Sequence, residues 1–137
     1  MVERIRSGSP FEATYGFSRA IRVGERVLVS GTAPVPPPGE AVAETATDQM
    51  RRCGEIITAA LAEAGATLVE VVRTRMFITD PADADAIGAV HAELFSAAAP
   101  AATMVVVAAL LDPSWKVEVE VEAVLSKSSN PNPESGT

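Results

Sequence analysis

The strongest constraint on the fold is the run Trp115-Lys116-Val117-Glu118-Val119-Glu120-Val121-Glu122-Ala123-Val124. Strict alternation at a period of two marks a β-strand, so Val117, Val119 and Val121 share one face while Lys116, Glu118, Glu120 and Glu122 share the other. Just upstream, Pro100-Ala101-Ala102-Thr103-Met104-Val105-Val106-Val107 is rich in β-branched residues, and the turn-prone Leu111-Asp112-Pro113-Ser114 connects the two stretches. They read as two strands paired with each other. Three carboxylates in a row on a sheet face repel one another unless that face is solvated, receives cations from neighbouring strands, or lines a polar site.

The rest of the chain supplies partners for these strands. Ala20-Ile21-Arg22-Val23 and Val27-Leu28-Val29 flank Gly24-Glu25, a spacing that suits a tight antiparallel hairpin, with Gly31-Thr32 ending its second strand. Pro34 to Gly39 contains three consecutive prolines that cannot donate ladder hydrogen bonds, and it reads as an exposed loop. Ala46, Met50, Cys53, Ile57, Ala60, Leu61 and Ala64 recur at helical spacing, which predicts a helix over 45–64 stopped by Gly65. Residues 71–78 read as a strand with Val72, Met76 and Ile78 on one side and Arg73, Arg75 and Phe77 on the other. Asp80-Pro81 is a helix start, and a second helix running to about Ala98 presents Ile87, Val90, Leu94 and Phe95, with Gly88 an unusual glycine in mid-helix.

At 137 residues the chain fits one domain, read here as 1–125 with an irregular lead-in over 1–14 and a disordered Ser/Asn/Pro-rich tail over 126–137. The net charge of −7 disfavours nucleic acid or an anionic membrane as partner, because phosphate binding needs clustered cations. One cysteine, Cys53, forbids an internal disulfide and lies on the apolar stripe as a small buried hydrophobe. With one histidine, His91, no Cys/His zinc cluster can be assembled, and a lone helical histidine reads as packing or surface. The absence of a signal-like or membrane-length apolar run leads us to expect a cytoplasmic protein.

Strand, strand, helix, strand, helix, strand, strand, with each helix amphipathic on one side, predicts an α+β fold: one mixed β-sheet with two helices packed on one face. The other face, carrying both arginines and glutamates, suits a subunit interface. In this order, Phe17-Ser18-Arg19-Ala20 leading to Val29-Ser30-Gly31, Arg73-Thr74-Arg75-Met76-Phe77-Ile78-Thr79-Asp80, Pro100-Ala101-Ala102-Thr103 and Val119-Glu120-Val121-Glu122-Ala123 resemble the Rid (reactive intermediate deaminase, YjgF-like) family over roughly residues 15–125. The resemblance implies a chorismate-mutase-like fold, a homotrimer whose sheets form a central barrel, and three clefts between subunits that bind a small molecule. In the active branch of the family those clefts hydrolyse 2-imino acids and their enamine tautomers to ammonia and a 2-keto acid, with no cofactor or metal.

Carried over position by position, the resemblance assigns Ser30 and Glu120 to the site serine and site glutamate, and backbone donors near Gly31 and Thr103 remain beside them. It also exposes departures. The arginine that grips the substrate carboxylate is matched by Ala102, the tyrosine before the first strand by Phe17, a cysteine by Met104 and an asparagine by Gly88. Arginine holds a carboxylate through two charge-assisted hydrogen bonds, and alanine supplies neither. Arg75, with Arg73 as second choice, is a candidate replacement if its face opens into the cleft, the alternative being that Arg75 neutralises the glutamate row. The sequence therefore leaves two readings: an imine or enamine hydrolase acting on something other than the usual 2-imino acids, or a small-molecule binding or regulatory protein without catalysis. Ribonuclease activity is disfavoured by the acidic balance and the single histidine.

Overall fold

The computed structural model describes residues 1–126. Six strands form one mixed sheet: β1 (Val2–Ile5), β2 (Ala20–Val23), β3 (Arg26–Thr32), β4 (Val71–Ile78), β5 (Ala101–Val106) and β6 (Val117–Val124), ordered β1-β2-β3-β6-β4-β5. Three helices accompany them: α1 (Pro10–Tyr15), α2 (Ala46–Glu63) and α3 (Ala84–Phe95). The expected α+β arrangement is what forms, with α2 and α3 covering one sheet face.

Local chemistry explains most boundaries. Val23 pairs with Arg26 across Gly24-Glu25, and Gly24 takes the left-handed conformation that a two-residue hairpin loop requires (φ 60°). Thr45 caps α2 by accepting from Asp48 N at 3.1 Å. Asp80 Oδ1 accepts from Ala82 N at 2.9 Å, and a 3-10 turn over Pro81–Asp83 leads into α3. That helix ends at Phe95, short of Ala98: the Ala98 and Ala99 amides both bond the Phe95 carbonyl, and Ala99 turns the backbone into the left-handed region (φ 47°). Between helices and sheet, Met50, Cys53, Ile57, Leu61, Ile87, Val90 and Phe95 meet Val27, Met76, Ile78, Val117 and Val119, all 3% exposed or less. Burying such side chains stabilises the fold by about 1.5–3 kcal/mol each. A Cβ on Gly54 would lie 2.7 Å from Leu94 Cδ1, so glycine lets α2 and α3 approach.

Four expectations need correction. Strands β5 and β6 do not pair: β4 lies between them, parallel to β5 and antiparallel to β6, because α3 returns the chain to the far side of β4. Val72 is not on the buried side; a register shift between Val71 and Arg73 hands that place to Val71, and Thr74 rather than Val72 continues the buried row. The lead-in is not irregular. Strand β1 extends the sheet by pairing with β2 and anchors itself through buried Ile5. Ser9, Pro10 and Gly16, which look like loop residues, are the N-cap, first turn and left-handed C-cap of α1. Finally, Ser126, expected to begin the tail, donates its amide to Glu70 Oε2 at 2.5 Å; the remainder of the predicted tail lies outside the described residues.

Candidate functional site

Strand β6 organises the charged face of the sheet. Its neighbour β4 sets Arg75 opposite Glu120 and Arg73 opposite Glu122. Arg75 Nη1 donates to Glu120 Oε1 at 3.0 Å, while Glu122 receives Arg26 Nη2 at 3.3 Å and has Arg73 Nε at 3.8 Å. The carboxylate row is thus neutralised by cations from both flanking strands. The Arg75–Glu120 pair lies in a shallow hollow that also contains Leu28, Arg73 and Glu122.

Glu118 is the exception. Phe77 stands opposite it on β4, and among the described residues its carboxylate has no hydrogen bond or ion pair. Burial pushes its pKa up; the nearby Arg19 cation opposes that shift, and Glu120 adds to it.

Beside Glu120 the register of β3 slips. Val29 faces Val121 and Thr32 faces Val119, so Ser30 and Gly31 together oppose the single residue Glu120 in a β-bulge. Ser30 Oγ donates to the Ser18 carbonyl at 2.7 Å and so ties β3 to the segment before β2. At Gly31 a Cβ would run into Glu118 Oε2, so glycine leaves room for this carboxylate where it stands.

Beyond Gly31 the face opens into a cleft of about 130 Å³ between α1, the start of β2 and the loop before β6. Phe11 and Tyr15, stacked on α1 with centroids 6.1 Å apart, join Phe17, Leu111 and Trp115 as its walls. Arg19, Glu118, Ser9 and the Gly31 backbone are its polar part. Arg19 Nη2 donates to the Gly31 carbonyl at 2.6 Å, and its guanidinium carbon lies 5.9 Å from the Phe17 ring centroid. Its Nε is buried with no partner among the described residues. Burial lowers the Arg19 pKa against the pull of Glu12 and Glu118, yet a guanidinium stays charged at neutral pH.

Ala102 and Met104 occupy a third location. Parallel pairing sets them beside Thr74 and Met76, on the helix side of the sheet, whereas Thr103 shares the row of Arg75. Buried Thr74 is joined through Oγ1 to His91 Nε2 at 2.8 Å, and the His91 ring packs 4.8 Å from Phe95. Burial lowers the His91 pKa and favours the neutral ring. Gly88, one turn earlier on α3, has open space where a Cβ would project. Cys53 is fully buried, its thiol 3.3 Å from the Thr32 carbonyl and its pKa pushed up to about 12 chiefly by burial.

Within one chain, then, the residues proposed from sequence fall in three places. Phe17 and Gly31 line the cleft; Ser30, Glu120, Arg75 and Thr103 lie along the charged row; Ala102 and Met104 lie on edge strand β5, on the helix side of the sheet, and Gly88 lies on α3. Missed were Arg19, Trp115 and the aromatic pair Phe11/Tyr15. The pair carries a readable signal, i,i+4 spacing just after the cap sequence Ser9-Pro10.

Comparison with known proteins fixes the class. The crystal structure of Rv2704 from Mycobacterium tuberculosis, a member of the YjgF/YER057c/UK114 family, matches with a TM-score of 0.84 and 38% identity over 91% of this chain and 100% of that one. The family model described as "Endoribonuclease L-PSP" matches residues 8–125, and the chain belongs to this YjgF/Rid family. The protein SCO2049 of Streptomyces coelicolor is 37% identical over 122 residues, covering 89% of this chain and 91% of its own. The 2-iminobutanoate/2-iminopropanoate deaminase of Salmonella typhimurium is 32% identical over 111 residues, covering 79% and 84%. Among the described residues no helix is long and apolar enough to cross a membrane.

Proposed function

We propose that the chain works as a homotrimer whose inter-subunit clefts bind a small metabolite and hydrolyse an imine or enamine other than the usual short 2-imino acids. The observation that carries the reading is the combination of Glu120 beside the Ser30-Gly31 bulge with alanine at position 102. A trimer would bring the edge bearing Ala102, Met104 and Gly88 of one subunit toward the bulge face of another, gathering residues that one chain keeps apart. Hydrolysis adds water across the C=N bond: the oxygen joins carbon, and nitrogen leaves as ammonia after taking up protons. Glu120 would orient or deprotonate the water, and donors near Gly31 and Thr103 would stabilise the developing charge. Support comes from family membership and from the 32% identical deaminase, whose imine substrates motivate the reaction class.

The rival reading, a binding protein without catalysis, rests on a specific observation. Both proposed catalytic groups are already engaged, Glu120 with Arg75 and the Ser30 hydroxyl with the Ser18 carbonyl. Ammonia release from imines generated in situ by an amino-acid oxidase separates the two. We expect turnover by the native chain on a subset of imines, and Ala102→Arg to raise turnover of small 2-imino acids about 100-fold by restoring the orienting clamp. No release above buffer from any imine would end the hydrolase reading, and sedimentation equilibrium at monomer mass would end the trimer.

A further inference from the structure

Arg19 and Glu118 stand apart from the paired charges that line β4 and β6. Arg73 and Arg75 lie against glutamates on β6, and Arg26, Arg51 and Arg52 also have carboxylate partners. Arg19 instead faces the cleft with a single hydrogen bond, to a backbone carbonyl. Glu118 faces the same cleft with none. A half-buried cation and a half-buried anion held on one floor, close enough to influence each other but not joined by a hydrogen bond, is a costly arrangement. It becomes favourable when a guest supplies complementary charge to both. The walls above them are apolar and aromatic, and the volume, about 130 Å³ with an open mouth, is close to the ~150 Å³ of an apolar cavity that holds benzene.

We infer that Arg19 and Glu118 are the recognition pair of this cleft, and that its ligand carries a carboxylate and an N–H donor side by side on a bulky apolar body, as an apolar α-amino or α-imino acid does. Arg19 meets the carboxylate, Glu118 meets the nitrogen, and Phe11, Tyr15, Leu111 and Trp115 enclose the body. The inference rests on the small-molecule reading above and moves the anion anchor from the strand position held by Ala102 to Arg19. Gly31 belongs to the same device, since any side chain there would displace the Glu118 carboxylate.

Calorimetric titration of the full chain with L-phenylalanine, 3-phenylpropionate, 2-phenylethylamine and glycine tests it. L-Phenylalanine should bind about ten-fold or more tightly than each of the other three, the size expected for a shielded charge-assisted hydrogen bond or for a buried ring. Arg19→Gln should erase the preference over 2-phenylethylamine and keep the preference over 3-phenylpropionate; Glu118→Gln should do the reverse. A merely structural role would weaken all ligands alike. Because Arg19 also holds the Gly31 carbonyl, Arg19→Lys, which keeps the charge, is run beside it and should retain part of the carboxylate preference. Equal binding of all four probes by the native chain, or both preferences surviving both variants, would overturn the inference. Imine hydrolysis without these preferences overturns the recognition pair and leaves the hydrolase reading standing; the preferences without hydrolysis do the opposite.

Discussion

Glu118 and Glu120 lie two residues apart on one strand and project from the same sheet face, yet the fold treats them differently. Glu120 faces an arginine across the ladder and pairs with it at 3.0 Å, with both side chains more than a third exposed. Glu118 faces Phe77, sits against Gly31 and pairs with nothing among the described residues. The contrast shows how a repeating sequence acquires distinct sites: alternation sets the face, but the identity of the residue across the ladder decides whether a charge is neutralised or left available. What separates the two positions lies on β3 and β4.

Three changes probe that contrast. The largest effect is expected from Gln49→Ala. Buried Gln49 donates from Nε2 to the carbonyls of Ala43 (2.9 Å) and Ser114 (2.8 Å) and accepts from Lys116 N (2.7 Å), so it pins the loop that carries Trp115 beside Glu118. Losing these bonds and stranding buried groups should cost about 2–4 kcal/mol in urea unfolding and loosen the cleft while leaving the Arg75–Glu120 pair intact. A loss below 1 kcal/mol would show that the cleft does not depend on this tie.

A double-mutant cycle on Arg75→Gln and Glu120→Gln comes next. The pair is half-exposed, so its coupling in the isolated subunit should be about 1 kcal/mol or less and shrink as salt is raised. A larger, salt-insensitive coupling would mean that this row is dry in the assembled protein and would support a subunit interface over it.

The smallest effect belongs to Glu118→Gln. The folded-state pKa of Glu118 is raised, so its contribution is fully present below the ordinary carboxylate pKa and is lost as pH rises through the folded value. Glutamine removes that loss, and the variant should be more stable than the native chain at neutral pH by about a few tenths of a kcal/mol, because a half-exposed group is largely screened by water. Thermal melts at acid and neutral pH check the sign. Destabilisation by the variant at neutral pH would put Glu118 in a favourable pairing and erase the contrast with Glu120.

Local chemistry made much of this legible in the sequence. The hairpin at Gly24-Glu25, the helix stopped by Gly65, the burial of Cys53 and the arginine–glutamate face all follow from periodicities and turn signals that span a few residues. What was not legible is non-local. No spacing in Pro100–Val124 reveals that β4 inserts between the two strands, and the bulge that sets Ser30 and Gly31 against Glu120 is a mismatch between strands distant in sequence. The site suffered most, because its parts come from α1, β3, β6 and the loop before it. Phe17 and Gly31 were readable through family resemblance. Arg19 lies in the same segment, but its importance depends on the Gly31 carbonyl and the Glu118 carboxylate, which only the fold brings near.

The strand order also governs how the protein can be made. Strand β6 is the last of the six along the chain but occupies the middle of the sheet, and β3 and β4 meet only through it. During synthesis both strands must wait with an unpaired edge until about residue 124 has emerged, a delay in which hydrophobic, hydrogen-bond-hungry surfaces are open to wrong partners. The final insertion closes two ladders at once and makes folding of this sheet late, long-range and abrupt.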